Sequence, residues 1–130
     1  MDATFDRILN GQEPERVIFE SDRLIAFVDD QPLVMGHVLV IPKQRQDYIF
    51  DLPDQELSEF LVLAKPIAAA IKKVIPCEKV GIACIGLVTR YAHLHLVPIS
   101  SADDLNFTRK RLKPSASELT AIANQIRTAL

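Results

Sequence analysis

The segment Tyr91–Ile99 constrains the fold more than any other part of the chain. Apolar residues alternate in it with His93 and His95, and strict alternation over a short run is typical of a half-buried β-strand. Because strand side chains point alternately to two faces, His93 and His95 share a face with Tyr91, whereas Leu94 lies on the other. The chain has three histidines. The pattern predicts a sheet with one apolar face and one face that carries two imidazoles.

Size and composition predict one domain over residues 1–130. Such a chain can bury its own core, and a content of 48% hydrophobic and 25% charged residues is ordinary for a globular protein. A net charge of −2 gives no field that attracts nucleic acid or an anionic membrane. Neither a signal peptide nor an apolar run of roughly 18 residues is visible, and Cys77 and Cys84 form no CxxC motif. We therefore expect a cytoplasmic protein that binds neither nucleic acid nor membranes.

The spacing of apolar residues divides the remaining chain into helices and strands. A helical period predicts an N-terminal helix over 3–9 capped by Asp2, a long central helix over 55–74 and a C-terminal helix that opens on a capping box at 115–118. Asp51 or Asp54 is the expected cap of the central helix, and Pro66 is expected to kink it. β-rich runs predict strands over 16–20, 23–28, 37–42 and 79–85, the last one buried. The segment 101–113 is irregular. These elements fit an α+β domain around a five-stranded, mostly antiparallel sheet.

The residues alone leave three interpretations of the histidines open. A single histidine such as His37 is most often an ordinary surface or core residue. The pair on one strand face fits nucleophilic catalysis on phosphorus, because an imidazole with a pKa of about 6.5 keeps one nitrogen available at neutral pH. Its neighbour can then bind phosphate oxygens or protonate the leaving group. Alternatively, His93, His95 and His37 supply three nitrogen ligands for a catalytic zinc.

The segment 91–97 resembles the signature of the histidine triad (HIT) family of nucleotide hydrolases and transferases, His-φ-His-φ-His-φ-φ with φ apolar. Order and spacing agree over nearly the whole chain, notably at 5–11, 17–29 and 36–43. The resemblance implies a HIT-like fold and a homodimer in which two sheets join. It also implies chemistry at the α-phosphate of nucleoside phosphoramidates, nucleotide esters or dinucleoside polyphosphates. The expected ligand is a purine nucleotide or its conjugate, with no cofactor.

The family's site residues carry over to matching positions. His93 matches the nucleophile that forms a covalent nucleotidyl intermediate, and His95 matches the residue that contacts phosphate beside the scissile bond. Asp29 matches the acid that binds the ribose hydroxyls. His37 matches a further histidine that lies near the triad. Phe5, Ile8 and Phe27 match apolar positions around the base, although such residues are equally typical of a core. Thr89 and Arg90 are the two candidates for a phosphate contact.

Tyr91 stands where the family has its first histidine. That residue supports the site and does not attack, so we expect Tyr91 to keep a supporting hydrogen bond, toward His37 or the neighbouring backbone. A tyrosine cannot become cationic at neutral pH, so a nucleotide-binding module with weakened catalysis is the alternative function. Ala3 and Asp6 replace the cysteines that bind zinc in some relatives, so no metal is expected. The C-terminal helix either completes the monomer or covers the partner's site.

Overall fold

A computed structural model describes residues 3–130, and these form one antiparallel sheet with α-helices packed on both faces. The strands are β1 (Val17–Glu20), β2 (Leu24–Val28), β3 (Val38–Pro42), β4 (Lys79–Ala83) and β5 (Leu94–Ile99), in the order β1-β2-β3-β5-β4. Every neighbouring pair is antiparallel. The helices are α1 (Ala3–Leu9), α2 (Asp54–Val74) and α3 (Ala116–Ala129), and short 3₁₀ helices span Pro14–Arg16, Ile49–Asp51 and Ala102–Leu105. The predicted α+β class is confirmed.

The two faces of the sheet bury different side chains. On one, which we call the helix face, Leu94 and Leu96 of β5 pack with alternate residues of β2 and β3 against α2 and α3. On the other, the cleft face, Phe5 and Ile8 of α1 pack on the remaining residues of those strands and on Tyr91: Ile25, Phe27, Leu39 and Ile41. His95 pairs with Leu39 in the sheet. The predicted separation of imidazoles from leucines is therefore confirmed.

The helix ends agree only partly with the expectations. In α3 the capping box is confirmed, because Ser115 Oγ accepts the Glu118 N–H at 3.2 Å and Glu118 Oε1 accepts the Ser115 N–H at 2.9 Å. In α2 the expected aspartate cap is wrong: Pro53 occupies the N-cap position, and no side chain caps it. The helix runs without interruption past Pro66, which faces solvent. The expected cap of α1 at Asp2 lies outside the described residues.

Two strands differ from the prediction. β5 begins at Leu94 and not at residue 91, because the Ala92 N–H donates to Gln46 O at 2.6 Å and leaves the ladder. β4 ends at Ala83, and it is an edge strand with exposed residues such as Ile82. An apolar run thus marks a strand here without marking burial. No helix in the described range 3–130 is long and apolar enough to cross a membrane.

Candidate active site

The cleft face opens into a cleft of about 300 Å³ beside β5. His93 and His95 line it together with residues from α1, from the loop after β2, from β3 and from the segments before and after β5: Thr4, Phe5, Asp29, Asp30, Gln31, Leu39, Thr89 and Arg111. Phe5 connects this cleft to the core behind it. Its ring meets those of Phe27, Tyr91 and His93 edge to face, with centroids 5.3–5.7 Å apart. Residues far apart in sequence therefore share one partly enclosed site.

A chain of hydrogen bonds fixes the tautomers of two buried histidines. His37 precedes β3 and His95 lies in the adjacent β5, so the sheet brings their rings together. The Leu33 N–H donates to His37 Nδ1 at 3.1 Å, so the proton of this neutral ring is on Nε2. That nitrogen lies 2.9 Å from His95 Nδ1 and therefore donates to it. The single ring proton of neutral His95 is consequently on its Nε2.

His93 has the opposite tautomer. Its Nδ1 lies 2.6 Å from the backbone oxygen of Tyr91. A carbonyl oxygen only accepts, so Nδ1 carries the proton and Nε2 carries the lone pair. The rings of His93 and His95 meet at a centroid distance of 4.7 Å. The cleft thus holds, side by side, an imidazole that can attack and an imidazole that can donate a hydrogen bond.

Burial keeps the imidazole rings of His37 and His95 neutral. It lowers the pKa of His37 to about 3, together with smaller effects of the positive Arg111 and of His93. Burial likewise lowers the pKa of His95 far below its usual value, with added effects from His37 and His93. Asp29 Oδ2 lies 3.7 Å from His37 Nε2, but this contact is not an ion pair while the imidazole is neutral. Neither ring of the pair therefore carries positive charge at neutral pH.

Asp29 is held at the mouth of the cleft. Its Oδ1 accepts the Gln31 N–H at 2.9 Å, and its Oδ2 lies 3.4 Å from Arg111 Nη1. Burial raises the pKa of this carboxyl group to about 6, against the lowering effects of the Gln31 N–H and of Arg111. The group is therefore mostly ionised at pH 7 and can accept further hydrogen bonds from a ligand.

The sequence-predicted residues separate into three groups. Phe5, Asp29, Thr89, His93 and His95 line the cleft, and His37 lies directly behind His95. Ile8 and Phe27 are fully buried in the core behind Phe5 and do not line it. Arg90 is exposed and outside the cleft lining, and its backbone oxygen accepts a bond from Arg45.

The side chain and the backbone of Tyr91 act at different places. Its side chain is buried in the core of the cleft face, and its hydroxyl donates to the backbone oxygen of Pro42. Of the two partners expected for it, His37 and the backbone, the structure thus provides the backbone. Its own carbonyl oxygen is the group that fixes the tautomer of His93. The group that orients His93 is therefore the backbone of Tyr91 and not its side chain.

Sequence reasoning missed Arg111 and Phe107, which belong to the segment after β5. Arg111 Nη1 donates to Gln31 O at 2.6 Å, and its guanidinium lies 5.6 Å from the centre of the Phe107 ring. Phe107 in turn meets the ring of His95 edge to face at 4.7 Å. The available signal was an aromatic residue followed by a cluster of basic residues at 109–111, in a chain of negative net charge.

The structure does not assemble the three-histidine zinc set considered above. Within the described part of the chain, the histidine, cysteine and carboxylate groups close enough to share a metal ion are those of Asp29, His37 and His95, whose ligand atoms lie within 4.8 Å of one another. The donors fit poorly, because His37 Nδ1 already accepts the Leu33 N–H. Binding of a metal at Nε2 would displace the only ring proton and leave an anionic imidazolate. The hydrogen-bond chain therefore favours protons over a metal ion at this position.

Comparisons with known proteins agree on one family. A family model described as the HIT domain matches residues 10–102. An uncharacterized HIT-like protein of Borreliella burgdorferi is 30% identical over 115 residues, which cover 83% of each chain. Adenylylsulfatase HINT3 of Arabidopsis thaliana is 25% identical over 130 residues, which cover 96% of this chain and 66% of that protein. A crystal structure of a HIT-like protein involved in cell-cycle regulation from Bartonella henselae superposes with a TM-score of 0.80 at 26% identity and covers 98% of this chain and 95% of that one.

Proposed function

Because this chain belongs to the HIT family, we propose that it hydrolyses or transfers nucleotidyl groups through a covalent intermediate on His93. The substrates are nucleoside phosphoramidates, nucleotide esters or dinucleoside polyphosphates, and the group transferred is a purine nucleotide. The observation that carries this proposal is the pair of complementary tautomers, with a lone pair on His93 Nε2 and a proton on His95 Nε2, in rings 4.7 Å apart. The family includes hydrolases, as the name of the Arabidopsis relative states for that protein.

The reaction divides into two displacements at phosphorus. In the first, His93 Nε2 forms a bond to the α-phosphorus while the bond to the leaving group breaks. His95 Nε2–H donates a hydrogen bond to the leaving atom, which takes its proton from a water molecule. The carbonyl oxygen of Tyr91 stabilises the positive imidazole ring through its Nδ1–H. In the second, water attacks the α-phosphorus as the phosphorus–nitrogen bond breaks, and the proton that it releases neutralises the hydroxide left by the first step. The balance is one water consumed for each bond cleaved.

The remaining side chains of the cleft suit a nucleotide. The Asp29 carboxylate is positioned by the Gln31 N–H and can accept hydrogen bonds from ribose hydroxyls. Phe5 presents an aromatic ring to the cleft next to His93, with Ile8 and Phe27 packed behind it. Thr89 lines the cleft and is the candidate for a phosphate contact. A role of Arg90 in phosphate binding stays a prediction, because its side chain does not line the cleft.

The test is hydrolysis of adenosine 5′-phosphoramidate and adenylyl sulfate, measured as AMP released in excess EDTA. We expect turnover by the wild type and a loss of at least about 10³-fold in His93→Ala, since a nucleophile cannot be replaced by its neighbours. Mass spectrometry of the acid-sensitive adenylyl adduct checks the intermediate. If His93→Ala and the wild type hydrolyse these compounds equally, the proposal is wrong.

The alternative function, a nucleotide-binding module with weakened catalysis, is separated by calorimetry on the same proteins. Binding of AMP or GMP without turnover by the wild type favours the module, and absence of binding contradicts both functions. Activity that disappears in EDTA and returns with zinc would instead support the three-histidine metalloenzyme.

We also propose a homodimer in which two β4 strands pair at the edge of the sheet. Ile82 of β4 is 51% exposed. It lines an open apolar groove of about 640 Å³ with Ile85, Tyr48, Phe50 and Leu61, all of them exposed. An exposed strand edge next to an apolar patch is a ready site for pairing with another chain. Sedimentation equilibrium should find a dimer that Ile82→Lys dissociates, whereas a monomeric wild type at micromolar concentration would contradict this assembly.

The organisation of the chain fits this proposal. Every described strand belongs to one sheet, and the α-helices pack on its two faces, which supports a single domain over residues 1–130. Cys77 and Cys84 are both free thiols, as is usual in a reducing compartment. We therefore place the protein in the cytoplasm as part of the same proposal.

A further inference from the structure

We infer, on the basis of the function proposed above, that Arg111 binds the phosphate of the nucleotide and supplies the positive charge of the cleft. Among the side chains that line the cleft in the described part of the chain, Arg111 is the only lysine or arginine. The other ionisable groups of that lining are Asp29, Asp30 and two histidines. A phosphate that enters this cleft therefore needs Arg111 for charge compensation.

His37 and His95 do not supply the positive charge that a phosphate needs. Both rings are held neutral by burial, and a hydrogen bond from His37 Nε2–H to His95 Nδ1 joins the two neutral rings. A neutral imidazole donates a hydrogen bond to phosphate but does not neutralise its charge. The guanidinium of arginine stays protonated at all relevant pH values and presents a planar set of donors that matches phosphate oxygens.

Arg111 is held in place by groups that leave part of its guanidinium available. Its described hydrogen bonds all come from Nη1, to Gln31 O at 2.6 Å and to Asp29 Oδ2 at 3.4 Å. The adjacent Leu112 N–H donates to Pro32 O at 2.9 Å and anchors the segment at the cleft. The side chain of Arg111 is still 31% exposed. Nη2 and Nε therefore remain as donors for a ligand.

Arg111 is connected to the reacting groups through the ring of Phe107. Its guanidinium packs over the ring of Phe107, and the same ring meets His95 edge to face. One aromatic ring thus separates the guanidinium from His95, the hydrogen-bond donor of the proposed reaction. The distance of 3.4 Å to Asp29 is longer than the 2.7–2.9 Å typical of a charge-assisted hydrogen bond. Arg111 is therefore only loosely bound to Asp29 before a ligand arrives.

Calorimetry with AMP and with adenosine tests this inference, because the two ligands differ by the phosphate alone. We expect Arg111→Gln to weaken the binding of AMP by about 10-fold to 100-fold, as for the loss of a charge-assisted contact, and to leave the affinity for adenosine within about 2-fold. Arg111→Lys should retain part of the preference for AMP. Lys110→Gln is the matched control, since it removes the same charge from the exposed neighbouring position, and it should bind both ligands like the wild type.

The outcomes separate this inference from the proposed function, since the measurement is binding and not turnover. If Arg111→Gln weakens AMP and adenosine equally, the residue acts on the ribose through Asp29 and the inference is overturned. It is also overturned if Arg111→Gln binds AMP as tightly as the wild type. A wild type that binds AMP in preference to adenosine without hydrolysing any substrate would contradict the proposed hydrolase while leaving the role of Arg111 standing.

Discussion

The two faces of this sheet are made by the same strands and have opposite chemistry. The helix face buries only apolar side chains between β2, β3, β5 and the helices α2 and α3. All the buried polar and charged residues of the described chain lie on the cleft face or at its end: Arg16, Asp29, His37, His93 and His95. Because neighbouring residues of a strand point to opposite faces, one register serves both a core and a site.

The difference between the faces is energetic as well as chemical. Burial of apolar side chains on the helix face supplies stability, whereas burial of imidazoles and carboxyl groups costs stability unless each finds a partner. On the cleft face the partners are present, and within residues 3–130 no buried side-chain nitrogen or oxygen lacks a hydrogen bond. Arg16 is one case, because its Nε and Nη2 both donate to Val28 O, at 3.1 and 2.9 Å. The helix face thus stabilises the fold, and the cleft face carries the candidate site.

The largest expected effect comes from a cavity in the helix face. Ile67 of α2 is fully buried there, and Ile67→Ala should lower the free energy of unfolding by about 2–5 kcal/mol. The exposed Val62 lies in the same helix, so Val62→Ala is the control and should change stability by less than about 0.5 kcal/mol. Urea unfolding measures both variants. In the fraction that is folded, AMP binding should be unchanged, and a large loss of affinity would show that the two faces are coupled.

The pH dependence of stability should come from the cleft face. Below pH 6.5 the unfolded chain protonates His37 and His95, whereas their lowered pKa values keep the native rings neutral, so stability falls as the pH falls. Asp29 acts in the opposite direction between its native pKa of about 6 and its ordinary value of 3.8, because the native state then binds the extra proton. Near pH 5 these three groups therefore leave a difference of one proton, or about 1.4 kcal/mol per pH unit.

Asp29→Asn isolates the contribution of the carboxyl group. Without it the same calculation leaves a difference of two protons, and the loss of stability near pH 5 should steepen to about 2.7 kcal/mol per pH unit. Urea unfolding of both proteins at pH 5.5 and pH 4.5 measures the two slopes around pH 5, and the groups shared by both proteins cancel in the comparison. Equal slopes would mean that Asp29 titrates in the native state as it does in the unfolded chain.

The sequence predicted which face of the sheet each strand residue lies on better than it predicted which residues contact one another in space. Alternation in the segment 91–99 placed His93 and His95 opposite the leucines, which is confirmed, and the spacing of apolar residues predicted the five-stranded α+β class, which is also confirmed. The pattern could not show that β4 is an edge strand, because an apolar run does not reveal how many neighbours the strand has. Nor could it place Arg111, whose contact with Gln31 spans 80 residues of sequence. Local periodicity determines local structure, whereas the site depends on contacts that only the complete sheet creates.

The smallest expected effect concerns Tyr91, which the resemblance described above aligns with the first position of the triad signature. Tyr91→Phe removes the hydroxyl that donates to Pro42 O. This hydroxyl keeps its proton at neutral pH, because burial raises the pKa of Tyr91 to about 12. It keeps the ring packed against Phe5 and the carbonyl that orients His93. We expect a loss of about 1 kcal/mol in unfolding free energy and a kcat within about 3-fold of the wild type, because the group that acts on His93 is backbone. A fall of kcat beyond about 10-fold would instead show that the side chain acts on the reaction, and Tyr91→His would then test whether a histidine at this position raises the rate.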